Sequence, residues 1–210
     1  MVEHTAARVP PALLRHLRVL RPQDAVETYA HPRPEFARLV RAGALHRLAT
    51  GYYAVVPDDR VGEPWLPALE AAASGIAAAD EGIDTVALMG LSAARVHGAL
   101  PRALGVAVVA AQRHRSALRL VDRDATVLFV RRDVTRLDVQ RYPHELGEGW
   151  ITTVEQTVLD LAARPELGGL RDDADAAARV LLARADTAVL DELATAQRRQ
   201  ATLRRLRETA

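Results

Sequence analysis

Hydrophobic positions recur along this chain with two periods, and the change from one to the other marks out its elements. Leu13, Leu14, Leu17 and Leu20 fall at helical spacing behind Pro10-Pro11, which predicts a first helix over 9–20. Pro22 opens a shorter second helix to Tyr29, with Ala25 and Val26 turned inward. His31-Pro32-Arg33-Pro34 interrupts the pattern, because a residue before proline is pushed out of helical geometry. A third helix runs from Pro34 to Ala42 and stops at Gly43. At about 100° per residue, Phe36, Leu39, Val40 and Gly43 share one side of it; Pro34, Ala37, Arg38 and Arg41 share the other.

From Ala44 the period shortens to two. Residues 44–57 read as two short strands joined at Thr50-Gly51, with Leu45, Leu48, Tyr53 and Val55 inward and His46, Arg47 and Tyr52 outward. Three helices followed at once by a hairpin predict a winged helix-turn-helix over residues 1–60. The proline-rich joint Gly62–Pro67 places the boundary, with a second domain over 65–210. In that domain helices are expected over 68–79, 92–100, 152–163, 171–185 and 187–208. Apolar runs at 84–89, 105–111 and 125–130 read as buried strands. The expected fold class is therefore α+β: an N-terminal winged helix followed by a mixed α/β C-terminal domain.

Charge changes the picture, because a net charge of +1 hides a segregation. Residues 1–57 carry +4, residues 58–197 carry −7 and residues 198–210 carry +4. A basic head, an acidic body and a basic tail imply that only part of the chain meets a polyanion. On the third helix the small Ala37 between Arg38 and Arg41, with Arg33 at the helix start, has the shape of a groove-entering face. A solvated arginine face is the plainer reading of that helix alone, and the hairpin behind it decides for DNA. His46, Arg47, Thr50 and Tyr52 then suit phosphate or minor-groove contact. The tail, with Arg198, Arg199, Arg204, Arg205 and Arg207 opposite Leu203 and Leu206, suits DNA or an acidic partner equally.

Absences exclude whole classes of chemistry. The sequence holds no lysine, asparagine or cysteine, so a P-loop, a Schiff-base lysine, a disulfide framework and a thiolate metal site are impossible. Asp172, Asp173 and Asp175 open a helix, where acids favour the positive dipole end, and no metal is expected there. Ser92 lacks the context of a nucleophile elbow and reads as a helix N-cap, and Thr152 with Glu155 reads as a capping box. Arg113-His114-Arg115 and Arg131-Arg132 read as solvated loop charges. No apolar run reaches the roughly 20 residues of a membrane span, and Met1–Thr5 shows no leader pattern. The expectation is a cytoplasmic regulator with no cofactor and no catalytic activity.

Three segments, in order, resemble a known family. The run "LVRAGALHRLATGYYAV" at 39–55 is similar to the N-terminal domain of AbiEi-type antitoxins. Leu88–Gly98 and Ile151–Ala162 resemble two helices of that family's second domain, so that the likeness spans about residues 10–195. The resemblance implies a winged helix that binds inverted repeats in its own promoter. It also implies a C-terminal domain that neutralises a nucleotidyltransferase-type toxin encoded alongside. Relatives carrying a fused lysine-dependent nuclease domain are departed from here, since no lysine exists. The alternative is a winged-helix transcription factor whose second domain senses a small molecule, and a toxin gene next door would separate the two.

Overall fold

The computed structural model describes residues 8–14 and 17–209. The head begins where sequence periodicity and structure part company. Pro11–Leu13 form a single 3-10 turn, Leu14 is extended, and Arg18 has a φ of +46°. Strand β1 (Val19–Leu20) follows. The leucine spacing reports burial of Leu13, Leu17 and Leu20 correctly. It does not give a continuous helix, because β-branched Val19 pairs with a strand, and tertiary pairing overrides local periodicity. The second expected helix is a 3-10 turn at Pro22–Ala25. So short a turn buries only Ala25; Val26, expected inward, is 64% exposed.

The third helix is present as α1 (Pro32–Arg41), starting two residues early, with Phe36 and Leu39 buried. Gly43 ends it at φ +73°, and a Cβ there would lie 2.9 Å from the Gly62 nitrogen. Strands β2 (Leu45–Ala49) and β3 (Tyr52–Val55) form the expected hairpin, with Gly51 at φ +86° in the turn. The antiparallel sheet order is β1-β3-β2, with Val19 opposite Ala54 and His46 opposite Ala54 on the other side. Phe36 meets the Tyr53 ring edge-on at 5.1 Å, closing a small core with Leu20, Leu39, Leu45 and Val55.

The body contains α2 (Leu69–Glu81), β4 (Val86–Leu88), α3 (Gly90–Val96), β5 (Val106–Ala111), β6 (Leu118–Arg119) and β7 (Thr126–Arg131). It continues through β8 (Val139–His144), β9 (Gly147–Thr152), α4 (Val154–Ala163), α5 (Arg171–Leu182), α6 (Thr187–Ala196) and α7 (Gln200–Thr209). Six strands form one mixed sheet in the order β6-β7-β5-β4-β9-β8, with β5–β7 and β4–β9 parallel. The class is α+β. Alternate residues of the central strands serve opposite faces: Leu88, Ala107, Val109 and Val127 face α2, while Ala87, Val108, Ala110 and Val130 join a second cluster. Helices α3 to α7 pack around Leu91, Leu159, Ala177 and Leu181.

Helix α2 lies between the two sheets. One cluster joins Val19, Leu48, Ala49 and Ala54 of the head to Ala72, Ile76, Leu88 and Val109 of the body, so a core crosses the joint at 62–67. The alanines of α2 let both sheets approach, and Gly75 is the closest point: a Cβ there would sit 2.3 Å from Val19 Cγ2. At the end of α2, Asp80 receives Arg21, Arg115 (2.6 Å) and the Tyr52 hydroxyl (2.7 Å), tying head to body. Buried Glu70 is held by Arg95 from α3.

Other local readings need correction. Ser92 is inside α3, where its Oγ accepts from the Val108 nitrogen, because the helix starts earlier at Gly90. The cap of α4 is Thr153, accepting from Gln156; Thr152 Oγ1 bonds Thr157, and Glu155 accepts from Asp186. Arg115 is no solvated loop charge: it stacks on Phe129 at 3.8 Å. The expected last helix is broken in two at Gln197–Arg199, where Arg198 has a φ of +56°. Strands β6, β8 and β9 were hidden, since their alternation is half-exposed and short.

Two stability measurements check this joint. Gly75→Ala, which in an open helix would stabilise by about 1 kcal/mol, is expected to destabilise by about 1–3 kcal/mol through overpacking against Val19. Denaturant titration reads the sign, and a stabilised variant would place β1 elsewhere. Asp80→Ala leaves two guanidinium groups and a phenol without their shared acceptor and is expected to cost about 3 kcal/mol. An unchanged midpoint would mean the cluster contributes nothing to the joint.

Candidate nucleic-acid interface

Helix α1 is amphipathic, and its buried side (Phe36, Leu39) fixes which residues face out. Arg33, Ala37, Arg38 and Arg41 are all exposed. Arg38 donates to Glu35 at 2.8 Å, an exposed pair one helical turn apart that exchanges readily with solvent. Arg41 reaches back to the Ala37 carbonyl. Among the described residues, Arg33, Arg41 and Arg47 form no ion pair. Proline at positions 32 and 34 fixes the start of the helix and removes backbone donors that would need partners there.

The hairpin turn and the start of α1 face each other across an open groove of about 900 Å³. Its walls include His31 and Arg33 on one side and Arg47, Thr50 and Tyr52 on the other. The structure therefore brings Arg33, Arg47, Thr50 and Tyr52 of the expected contact set to one groove. Arg38 and Arg41 lie further along the exposed face of α1. The β2–β3 register slips between Arg47 and Ala49, a bulge that bends the ribbon before its tip.

Two expected contact residues face the body. Tyr52 gives its hydroxyl to Asp80 and receives Arg115 at 3.1 Å. Burial, then the bond to Asp80, raises its phenol above the ordinary range, so the group stays neutral. His46 Nε2 lies 2.8 Å from Asp122 Oδ2, with its ring edge-on to Trp65. Burial would raise the Asp122 carboxyl, but hydrogen bonds from Arg123 and then His46 outweigh it and hold the group below the ordinary value. The Val121 nitrogen donates to the Leu48 carbonyl, which pins the outer edge of β2 to the body. Both residues are outward from the head's own core, as the alternation required. The alternation carries no sign of what lies on that side.

Sequence reasoning missed Arg21 and Asp80, which support this groove. Arg21 sits between Asp24 (2.9 Å) and Asp80, and these two carboxylates hold its pKa up despite burial. A cation one residue before a turn-opening proline was the available signal. Elsewhere, Asp172, Asp173 and Asp175 do line the start of α5, where Asp173 is paired with Arg102. No group of three or more candidate metal ligands occurs among the described residues. No helix of the described residues is long and apolar enough to cross a membrane.

The segments that carry the antitoxin resemblance are placed unequally. Residues 39–55 run from the end of α1 through β3, beside the groove. The other two lie side by side in the body: Leu88 pairs with Ile151, and His97 Nε2 is 2.8 Å from the Thr152 carbonyl. Their polar residues are spent on internal bonds. No family model matches the sequence, and no curated protein matches it. Among solved structures the chain is similar to the RV2827C protein from Mycobacterium tuberculosis, at 19% identity and a TM-score of 0.55. The likeness covers 90% of this chain and 73% of that one, and it is a likeness of fold.

Proposed function

We propose that the protein binds duplex DNA through α1 and the β2–β3 hairpin and acts as a regulator of its own operon. The observation that carries this reading is the groove between the two elements, lined by Arg33 and Arg47, both without an acidic partner among the described residues. In this reading the head is a winged helix with its first two helices reduced to single turns. Arg41 and Arg38 on α1 enter the major groove, while Arg47 and Thr50 reach phosphates beside it. Asn pairing with adenine is unavailable to a chain without asparagine. Arginine forks select the O6 and N7 acceptors of guanine, at about 1–3 kcal/mol per contact. The operator is accordingly expected to hold guanines under α1.

The antitoxin role is proposed on the resemblance of the three segments. It would assign neutralisation of a nucleotidyltransferase-type toxin to the body, in the cytoplasm. It would leave DNA binding to the head, consistent with the opposite net charges of the two regions.

Mobility-shift titration of the full chain on its upstream DNA tests the first reading. Binding at low salt is expected, and Arg47→Ala should weaken it on all sequences alike, lowering the salt slope by about one unit. Arg41→Ala should instead relax the preference at one base position in each half-site. Absence of a shift at low salt would refute DNA binding. For the second reading, an Arg38→Ala, Arg41→Ala variant expressed from a foreign promoter should still protect cells from the neighbouring toxin. Loss of protection with the fold intact would show that neutralisation uses the DNA-binding face.

A further inference from the structure

Far along the chain from the head, five arginines converge on one cleft. Arg131 ends strand β7, Arg132 follows it directly, Arg136 lies in the next turn, and Arg198 and Arg199 come from the break between α6 and α7. The cleft has a volume of about 870 Å³, within the range of small-molecule sites. It opens beyond the carboxyl ends of the parallel pair β5–β7, which in α/β sheets is where loops diverge and leave room for a ligand. No residue of the head lines it.

Three of the five cations of this cleft have no acidic partner among the described residues, and the other two share one buried carboxylate. Among the described residues Arg131, Arg136 and Arg198 form no ion pair, in contrast with Arg21, Arg95 and Arg115. Asp133, the acid in the lining, accepts from the Thr135 nitrogen and hydroxyl. Behind the cleft stands Asp160, only 4% exposed, with Arg132 at 3.6 Å and Arg199 at 3.8 Å. Those separations exceed hydrogen-bond length, so the carboxylate steadies the two guanidinium groups from a distance and leaves their N–H forks available. Arg199 also donates to the Leu159 carbonyl, and Gln156 to Asp160 Oδ1, which fixes this wall. Asp160 Oδ2 has no hydrogen-bond partner among the described residues, and burial, against the pull of Arg132 and Arg199, holds this carboxyl above its ordinary value.

Backbone geometry agrees. A non-glycine residue at φ +56° is strained, and Arg198 holds that conformation where it breaks the helix and brings a second arginine beside Arg199. Burial, ahead of Arg132 and Arg164, depresses the Arg199 guanidinium below its ordinary value, although the Asp160 charge works against this. Five like charges gathered around a single buried carboxylate oppose folding, and a bound polyanion would reduce that cost. Besides Gln197, the remaining lining (Leu137, Leu193, Ala196) is apolar and suits a flat ring beside the charged groups.

We infer that this cleft binds a small phosphate-bearing molecule of nucleotide size, its phosphoryl oxygens held by Arg131, Arg132, Arg136 and Arg199. Arginine forks match phosphoryl oxygens two at a time, which selects such groups over single point charges. A site of this kind in the body would give the regulator an input separate from its DNA face.

Calorimetric titration of the full chain with ADP, inorganic pyrophosphate and adenosine tests the inference. ADP and pyrophosphate should bind, and adenosine should bind at least about a hundredfold more weakly, since each lost charge-assisted bond is worth about tenfold or more. Arg131→Gln with Arg136→Gln should reduce ADP affinity by about a hundredfold. Both side chains are exposed, so the melting temperature should hold. Arg33→Gln with Arg47→Gln should leave ADP binding intact while weakening promoter DNA, which separates the cleft from the DNA reading. Failure of both phosphate probes to bind overturns the inference, as does binding that ignores the cleft variant. A cleft variant that weakens duplex DNA, with neither probe binding, would make the cleft a nucleic-acid backbone contact and overturn it too.

Discussion

The approach of β1 to α2 at Gly75 is the constraint on which the arrangement of this molecule depends. A helix can be buried between two sheets only if its side chains are small on both sides, and α2 meets that demand with alanines around a single glycine. The two sheets then share one apolar cluster, so the head cannot pivot on the 62–67 joint without exposing Val19, Leu48 and Ala54. At about 25 cal/mol per Å² of apolar surface, that exposure is unfavourable enough to make the orientation of α1 relative to the body a fixed property. Asp80, at the far end of the same helix, adds direction to this contact. Apolar packing tolerates sliding, whereas three donors converging on one carboxylate do not.

That constraint also explains which parts of the fold the sequence disclosed. Elements with one wet face were legible: α1 through Phe36 and Leu39 against its arginines, the hairpin through its alternation and Gly51, and α4 and α5 through their stripes. Central strands showed as continuous apolar runs because both faces are covered. Segment 9–29 failed because Leu13, Leu17 and Leu20 are buried by neighbours distant in sequence, while Leu14, in the same spacing, is exposed; burial of the three was real, and the helical inference from it was false. Helix caps failed by one to three residues: a serine or threonine near a helix start is equally able to bond a strand, as Ser92 does with Val108. The α6–α7 break was invisible, since nothing in Gln197-Arg198-Arg199 forbids a helix; only the packing of Leu203 and Arg199 against α4 demands the turn.

For the candidate contact residues the division is by partner. Periodicity shows which side chains leave a segment's own core, and all seven of those singled out do so. It is blind to what waits on the other side. His46 and Tyr52 meet Asp122 and Asp80, residues 76 and 28 positions away, and become parts of the joint. Arg33, Arg38, Arg41, Arg47 and Thr50 meet solvent. The resulting contact set is narrower and more cationic than alternation alone implied, and it is anchored from behind by the two residues it lost.

Arginine, the sole strong base of this chain, has to serve both structure and recognition, and its partners divide the two roles. Arg95 on Glu70, Arg21 and Arg115 on Asp80, and Arg123 on Asp122 are each paired with an acid inside the fold. A buried guanidinium left without such a partner would be strongly unfavourable, so these positions are committed to stability. Arg33, Arg41 and Arg47 in the head, and Arg131, Arg136 and Arg198 at the far cleft, form no ion pair among the described residues, although residues 58–197 hold an overall excess of acids. Their isolation in two separate places, the exposed face of α1 with its groove and the cleft at the end of β7, is the physical basis for proposing two anionic partners rather than one.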